Sequence, residues 1–323
     1  MYHKTMAILT PKPLENQAVG SVQQAEMEHA YGKLKRSLGQ NFLTDELALH
    51  DIISTINPKS GETIVEIGPG RGALTDKLIV FSLEFLGEKD IKVILIEKDP
   101  ILAKELKAKY SKLKSVPEII EGDALKVLPE LANYKLKAKG YKLVGNIPYY
   151  ITGYLFRLIS ELENKPSLAV FTIQKEVAER ICASEGGMNL LAASIQVWAK
   201  PEVVRFVSRK GFYPVPKVDS AIIKLTFDRK QSTIDQSKNY YNLIKILFKQ
   251  PRKTIFNNMK QLTIDDKQIS KEELLKILAK QKIAPDNRPQ DLTIEQLKKL
   301  SETLKRKEFL GKKMLRRPKN LRS

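Results

Sequence analysis

The stretch EIGPGRGALT (66–75) constrains this chain more than any other part of it. It follows the apolar run that begins at Thr63 and precedes a helix-like segment. Gly68, Gly70 and Gly72 let the backbone turn tightly and approach a ligand with no Cβ in the way. Such a turn, between a buried strand and a helix, suits nucleoside binding at the carboxyl end of a parallel strand. Gly68, Gly70 and Ala73 also satisfy the dinucleotide pattern G-x-G-x-x-G/A. The loop serves equally as a plain tight βα turn, so by itself it leaves the ligand open.

Around this turn, apolar runs of strand length alternate with helical stretches. The runs are TIVEIG (63–68), VILIEKD (93–99), EIIEGDA (118–124), YKLVGNI (141–147), SLAVFTI (167–173), VVRFVS (203–208) and AIIKLTF (221–227). The first four or five lack polar alternation, as strands buried on both faces do. Helical segments such as Pro100–Tyr110 and Gly153–Leu162 lie between them. That order predicts an α/β fold with a mostly parallel, Rossmann-like sheet and right-handed crossovers. Only KGFYPVPKVD separates the last two runs, which allows an antiparallel strand at one edge. After Asp228 the pattern changes to amphipathic helices at Tyr240–Lys249, Lys271–Gln281 and Thr293–Lys305, the last capped by Asp291 or Thr293. The expected organisation is a disordered leader (1–32), an α/β domain (33–229), a small all-helical domain (230–305) and a basic tail (306–323). No internal repeat is present.

Composition narrows the partners. Lys and Arg number 56 against 37 Asp and Glu, a net charge of +19, which points to a polyanion, most often nucleic acid. No apolar run approaches a membrane span, and the N-terminus has no signal-peptide core, so a cytoplasmic protein is expected. The one cysteine, Cys182, excludes an internal disulfide and reads as an inert core residue. His3, His29 and His50 are scattered, so no metal site is expected. Trp198 reads as ordinary core.

The ends of the following strands carry more chemistry. Glu97 is placed to accept hydrogen bonds from ribose hydroxyls, and Asp123, in Gly122-Asp123-Ala124, from an adenine amino group. The fourth run ends in Asn146-Ile147-Pro148-Tyr149. The exocyclic nitrogen of adenine is a poor nucleophile because its lone pair is delocalised into the ring. An Asn oxygen and a neighbouring backbone carbonyl accept its two protons and favour a more pyramidal, more nucleophilic nitrogen. Pro148 restricts the turn, and Tyr149 offers a flat face to an extruded base.

Five blocks in order, LGQNFLTD (38–45), EIGPGRGALT with IEKD (96–99), GDA with GNIPYYIT (145–152), QKEVAERI (174–181) and FYPVPKVDSAI (212–222), resemble the small-subunit ribosomal RNA adenine N6,N6-dimethyltransferases, the KsgA family. The resemblance runs from about Lys33 to Lys305. It implies a class I methyltransferase fold and S-adenosylmethionine held by Asn41, Leu43, Gly68, Gly70, Glu97, Asp123, Ala124 and Asn146. It implies Asn146 and the Ile147 carbonyl as acceptors from the target N6, and Tyr149 and Phe212 as the faces between which the base stacks. It implies two neighbouring adenines in a hairpin loop near the 3′ end of 16S rRNA as target, within a small-subunit precursor, and a monomeric enzyme. Lys33, Lys35 and Arg36, and Arg252 and Lys253 in the helical region, are candidate phosphate contacts. Glu66 is expected to organise the glycine loop. One departure stands out: Met188-Asn189-Leu190 replaces an aromatic-Gly-Arg common in the family. The competing readings are an Erm-type 23S rRNA methyltransferase, a non-catalytic assembly factor that binds RNA, and a DNA adenine methylase.

Overall fold

The computed structural model describes residues 39–86, 91–113, 115–136, 140–227, 238–260, 262–264, 267–305 and 309–311. The leader, with Lys33, Lys35 and Arg36, lies outside them, as does the tail beyond Gly311. The chain divides into two units. One holds the segments up to Leu158, Leu162–Lys175 and Val204–Lys224. The other holds Ile159–Glu161, Glu176–Val203 and everything from Leu225.

The strands are β1 (Phe42–Leu43), β2 (Thr63–Ile67), β3 (Lys92–Glu97), β4 (Glu118–Glu121), β5 (Lys142–Asn146), β6 (Leu168–Gln174), β7 (Ala199–Val207), β8 (Phe212–Tyr213) and β9 (Ser220–Phe227). Seven form one sheet in the order β4-β3-β2-β5-β6-β9-β7, and the pairings from β4 through β6 are parallel. Central residues such as Ile64, Val65, Ile94, Leu95, Leu143 and Val170 are fully buried, which explains the unbroken apolar runs. β2 stands where the strand order reverses, with β3 on one side and β5 on the other. That is the switch point outside which a crevice opens in a doubly wound sheet. The register keeps the carboxyl ends level: Ile67 lies opposite Ile96, Glu97 opposite Glu121, and Asn146 opposite Thr172.

The helices between strands start on side-chain caps. In α1 (Glu46–Ile56) Asp45 accepts from the Ala48 N–H. α2 (Ala73–Phe81) begins at the glycine turn. In α3 (Pro100–Tyr110) Asp99 accepts from the Ile101 N–H and a proline opens the first turn. In α4 (Ala124–Glu130) Asp123 accepts from the Leu125 N–H. α5 (Thr152–Glu161) follows the Asn146–Tyr149 turn. No helix among the described residues is long and apolar enough to cross a membrane.

The second unit contains most of α6 (Lys175–Ile181) together with α7 (Leu190–Gln196), α8 (Lys238–Leu247), α9 (Ile255–Met259), α10 (Lys271–Lys280) and α11 (Ile294–Lys305). Leu243, Leu247, Leu274, Leu278, Leu297 and Leu300 are buried there. Trp198, 4% exposed, stacks on Phe227 at 5.7 Å. Thr293, not Asp291, caps α11 by accepting from the Gln296 N–H. The expectation of an all-helical region needs correction. β10 (Leu262–Ile264) pairs antiparallel with both β11 (Lys267–Gln268) and β12 (Phe309–Gly311). β12 falls inside the segment expected to be tail. Segments this short carry no readable period, and β12 comes from the far end of the chain. Asn189 plays a local structural part, since its side chain accepts from the Leu191 and Ala192 N–H groups and caps α7.

Candidate active site

Four strand ends converge on one cleft in the first unit. Its walls include Asn41, Gly68, Gly70, Glu97, Asp123, Ala124, Asn146, Ile147, Pro148 and Tyr149. Gly68, Gly70 and Gly72 all have positive φ, at 66°, 60° and 85°. A Cβ on Gly70 would stand 2.7 Å from the Phe42 ring, so the ring packs directly on the turn. A Cβ on Gly68 would meet only the Asn146 carbonyl, at 3.9 Å, because the space beside it is the cleft itself.

Glu97 is buried, and its carboxylate takes backbone N–H groups from Gly70, Lys98 and Asp99. Oε2 accepts from Gly70 at 3.0 Å and Oε1 from Asp99 at 2.8 Å. Burial pushes its pKa up against the pull of those bonds. A carboxylate offers about four lone-pair sites, so acceptor capacity remains for a ligand hydroxyl. At Asp123 burial is outweighed by the Lys98 ammonium, 2.8 Å from Oδ2, and by the Leu125 N–H, so its pKa lies below the ordinary value. Beneath the loop, Glu66 is buried and accepts from the Thr75 hydroxyl at 2.6 Å. Burial holds its pKa up at about 8, so it carries its proton at neutral pH.

Asn146 ends β5. Its amide Nδ2 donates to the Asn41 carbonyl at 2.6 Å. A carbonyl only accepts, so the nitrogen must face it and Oδ1 is left as the acceptor. The preceding Gly145 is required by packing, since a Cβ there would stand 2.4 Å from the Ile67 carbonyl. The Ile147 N–H donates to the Thr172 carbonyl at 3.1 Å and fixes the next peptide. The Tyr149 hydroxyl and the Ser220 hydroxyl lie 2.8 Å apart, which anchors that ring from below.

Residues 39–42 run along the cleft as a strap. Gln40 Nε2 donates to Asp99 Oδ2 at 3.2 Å, and Gly39 lies against the Tyr150 ring. β1 pairs antiparallel with β8, Phe42 opposite Tyr213 and Leu43 opposite Phe212. This pairing changes two expectations. Leu43 (5% exposed) and Phe212 (2%) belong to the buried core rather than to the cleft wall. In this conformation Phe212 offers no face to a base, because its ring is spent on packing under the strap. Gln40, Phe42, Lys98 and Tyr150 also line the cleft, although the sequence pattern does not single them out. Lys98 stands between Glu97 and Asp99 in the chain, which is the one signal the sequence holds for it, whereas Gln40 meets Asp99 only through the fold.

Outside the cleft, Arg252 and Lys253 are exposed in the turn before α9. Cys182 is half-buried, and burial pushes its thiol up, first among the causes, followed by Glu202. His50 is exposed.

The cleft suits an adenosyl ligand that carries an amino-acid chain. Its glycine floor leaves room at Gly68, and Ile67, Ile96, Leu102 and Ile147 supply apolar walls. Two carboxylates, Glu97 and Asp123, line it as hydrogen-bond acceptors.

The family model "Ribosomal RNA adenine dimethylase" matches residues 31–305. The ribosomal RNA small subunit methyltransferase A of Mycoplasma mycoides subsp. mycoides is 35% identical over 271 residues, covering 83% of this chain and 96% of that protein. A solved dimethyladenosine transferase from Plasmodium falciparum superposes with a TM-score of 0.67 at 27% identity, over 82% of this chain and 98% of that one. The 23S rRNA methyltransferase ErmE shares the fold, with a TM-score of 0.63 at 23% identity over 82% of this chain and 99% of that one. A glycine turn, an acid at each of the next two strand ends and Asn-Ile-Pro-Tyr at the fourth, set on this sheet order and matched from residue 31 to 305, show that the chain belongs to the ribosomal RNA adenine dimethylase family.

Proposed function

We propose that this protein dimethylates N6 of two neighbouring adenines in the 3′-terminal hairpin loop of 16S rRNA, in a small-subunit precursor, as a cytoplasmic monomer. The observation that carries the reading is the acceptor set at the β5 end: the Asn41 carbonyl takes the Asn146 amide N–H and leaves Oδ1 as the acceptor, at the wall of the cleft. The small-subunit methyltransferases among the relatives support the choice of rRNA, and the net charge of +19 supports a polyanionic substrate.

S-adenosylmethionine fits the cleft, with Asn41, Gly68, Gly70, Glu97, Asp123, Ala124 and Asn146 as its contacts. It supplies a methyl group on a sulfonium, which is already a good leaving group. After each transfer the nitrogen is cationic and strongly acidic, so its proton passes to solvent and no strong general base is asked of the chain. Asn146 Oδ1 and the Ile147 carbonyl accept the two N6 protons and hold the nitrogen lone pair toward the cleft. Tyr149 supplies a face for the extruded base. Catalysis is mostly positioning, plus preorganised dipoles that need no rearrangement as charge moves to nitrogen. Phe212 completes a sandwich only if β8 shifts out of the core.

The test is a labelled methyl-transfer assay on unmethylated small subunits, naked 16S rRNA and naked 23S rRNA, with nucleoside mass spectrometry of the products. Dimethyladenosine on the small subunit, and none on 23S rRNA, is the expected outcome. Product confined to 23S rRNA would move the protein to the Erm activity. Tight small-subunit binding with no product would leave a non-catalytic assembly factor.

A further inference from the structure

The geometry points to a second RNA contact surface on the methyltransferase unit, formed by Lys175, Phe206, Arg209, Lys210 and Lys217, which grips the single-stranded nucleotides flanking the target adenine. The inference rests on the reading that RNA is the substrate. The sheet order divides the carboxyl edge in two. The adenosyl cleft occupies the β4-β3-β2 side, and the Asn146 turn ends at β5. Nucleotides flanking a base held at that turn are left with the β6-β9-β7 side.

That side is tied to the turn by direct contacts. Asn146 lies opposite Thr172, so Lys175 follows three residues beyond it at the end of β6. The Lys175 N–H donates to the Asp219 carbonyl, and Asp219 Oδ1 accepts from the Arg209 N–H at 2.9 Å. Ser220, next in the chain, meets the Tyr149 hydroxyl. The Gly211 carbonyl accepts from both Thr44 and Asp45, which brings the loop after β7 to the segment that follows the strap.

The chemistry of this face is that of a single-strand grip. Arg209, Lys210 and Lys217 are exposed, and Asp219 is the one acid between Ser208 and Ser220. Phe206, 51% exposed, stands on an edge strand with its neighbour on the same face, Val204, 38% exposed. An exposed apolar edge is a hazard that folded proteins cover or use. The Lys175 ammonium lies 5.0 Å from the Phe206 ring centroid. Cations beside an exposed ring suit phosphates beside stacked bases, whatever the sequence. An acidic protein would pair with the cations but would leave the ring without a specific partner.

The test uses the full chain with two probes, unmethylated small subunits and a short fluorescent single-stranded RNA. Phe206→Leu is expected to weaken single-strand binding and raise the subunit KM about tenfold, within the range of removing one base–aromatic stack. Phe206→Tyr is expected to restore both. In both variants S-adenosylhomocysteine affinity and kcat should stay at the wild-type level. The double variant Lys210→Gln/Lys217→Gln should flatten the salt slope by about 0.7 for each phosphate no longer neutralised. Both lysines are exposed, so this arm holds even if Phe206→Leu misfolds. Leu and Tyr variants that behave alike, or an unchanged salt slope, overturn the surface. If wild-type protein methylates subunits and the variants match it, the surface fails and the rRNA reading stands. If wild-type protein methylates no rRNA, the rRNA reading fails, while the fluorescent RNA still reports on the surface.

Discussion

Asn146 has one NH2 and one oxygen, and the Asn41 carbonyl takes the NH2. The oxygen is thereby left as the acceptor with its amide already fixed, and fixed polar groups need no rearrangement during a reaction. Asn146→Ala should lower kcat on the order of a hundredfold, about 3 kcal/mol. Cofactor affinity should change by less than about tenfold, since the glycine turn and both carboxylates remain. Single-turnover rates and calorimetry with S-adenosylhomocysteine measure the two separately; a wild-type rate would remove Asn146 from the chemistry. Glu66 makes a different prediction. Its folded pKa, raised to about 8, lies above the unfolded value, so the native state binds the extra proton between the two. Stability is full below the unfolded pKa and falls as pH rises through the folded one. Glu66→Gln keeps a neutral acceptor for Thr75 and cannot ionise. The stability of the variant relative to wild type should therefore climb between about pH 5 and pH 8 and level off above. Thermal unfolding of both proteins across that range gives the difference, and groups common to both cancel. A flat difference would mean that Glu66 is ionised in the fold.

At the scale of elements, Lys142 shows how one buried cation holds a helix end. Its ammonium donates to the Ile56 and Asn57 carbonyls, at 3.0 and 3.1 Å, just where α1 ends, and to Glu62 at 2.6 Å. Helix ends carry orphan carbonyls, and these two have found a partner on β5. Lys142→Met should cost roughly 2–4 kcal/mol, below the cost of breaking a fully buried pair because Glu62 reaches solvent. Urea unfolding should show a lower midpoint with unchanged m, and an unchanged midpoint would refute the role. The same scale explains what is legible in the sequence. β2, β3 and β5 read clearly because burial on both faces writes an unbroken apolar run. Glu97, Asp123 and Asn146 read clearly because parallel register brings the ends of consecutive runs level. β1 and β8 do not read, since two residues have no period and their pairing spans most of the first unit. Phe212 misleads for the same reason: an aromatic before Tyr-Pro looks alike whether it faces a ligand or, as here, lies opposite Leu43. β12 is hidden among basic residues and is visible only beside β10.

For the whole molecule, the charge of +19 is a statement about affinity for polyanions rather than fold, and it is unevenly distributed. Lys312, Lys313, Arg316, Arg317, Lys319 and Arg322 fall in the last twelve residues with no acid among them. Each phosphate they neutralise adds about 0.7 to 0.9 to the slope of log affinity against log salt. The pairing of β12 with β10 decides where a truncation must be made. Ending the chain at Gly311 removes the basic cluster and keeps the three-stranded sheet. Ending it at Lys305 also strips a strand and exposes the β10 edge. The shorter deletion should flatten the salt slope by one or more, lower affinity at low salt and leave the unfolding temperature unchanged. The longer one should do the same and lower the unfolding temperature as well. Filter binding to small subunits over a salt series, with thermal unfolding of both truncations, separates the two effects. An unchanged slope in the Gly311 truncation would mean that the tail does not touch RNA. The affinity would then have to come from the other basic candidates, Lys33, Lys35, Arg36, Arg252 and Lys253, and from the face around Phe206.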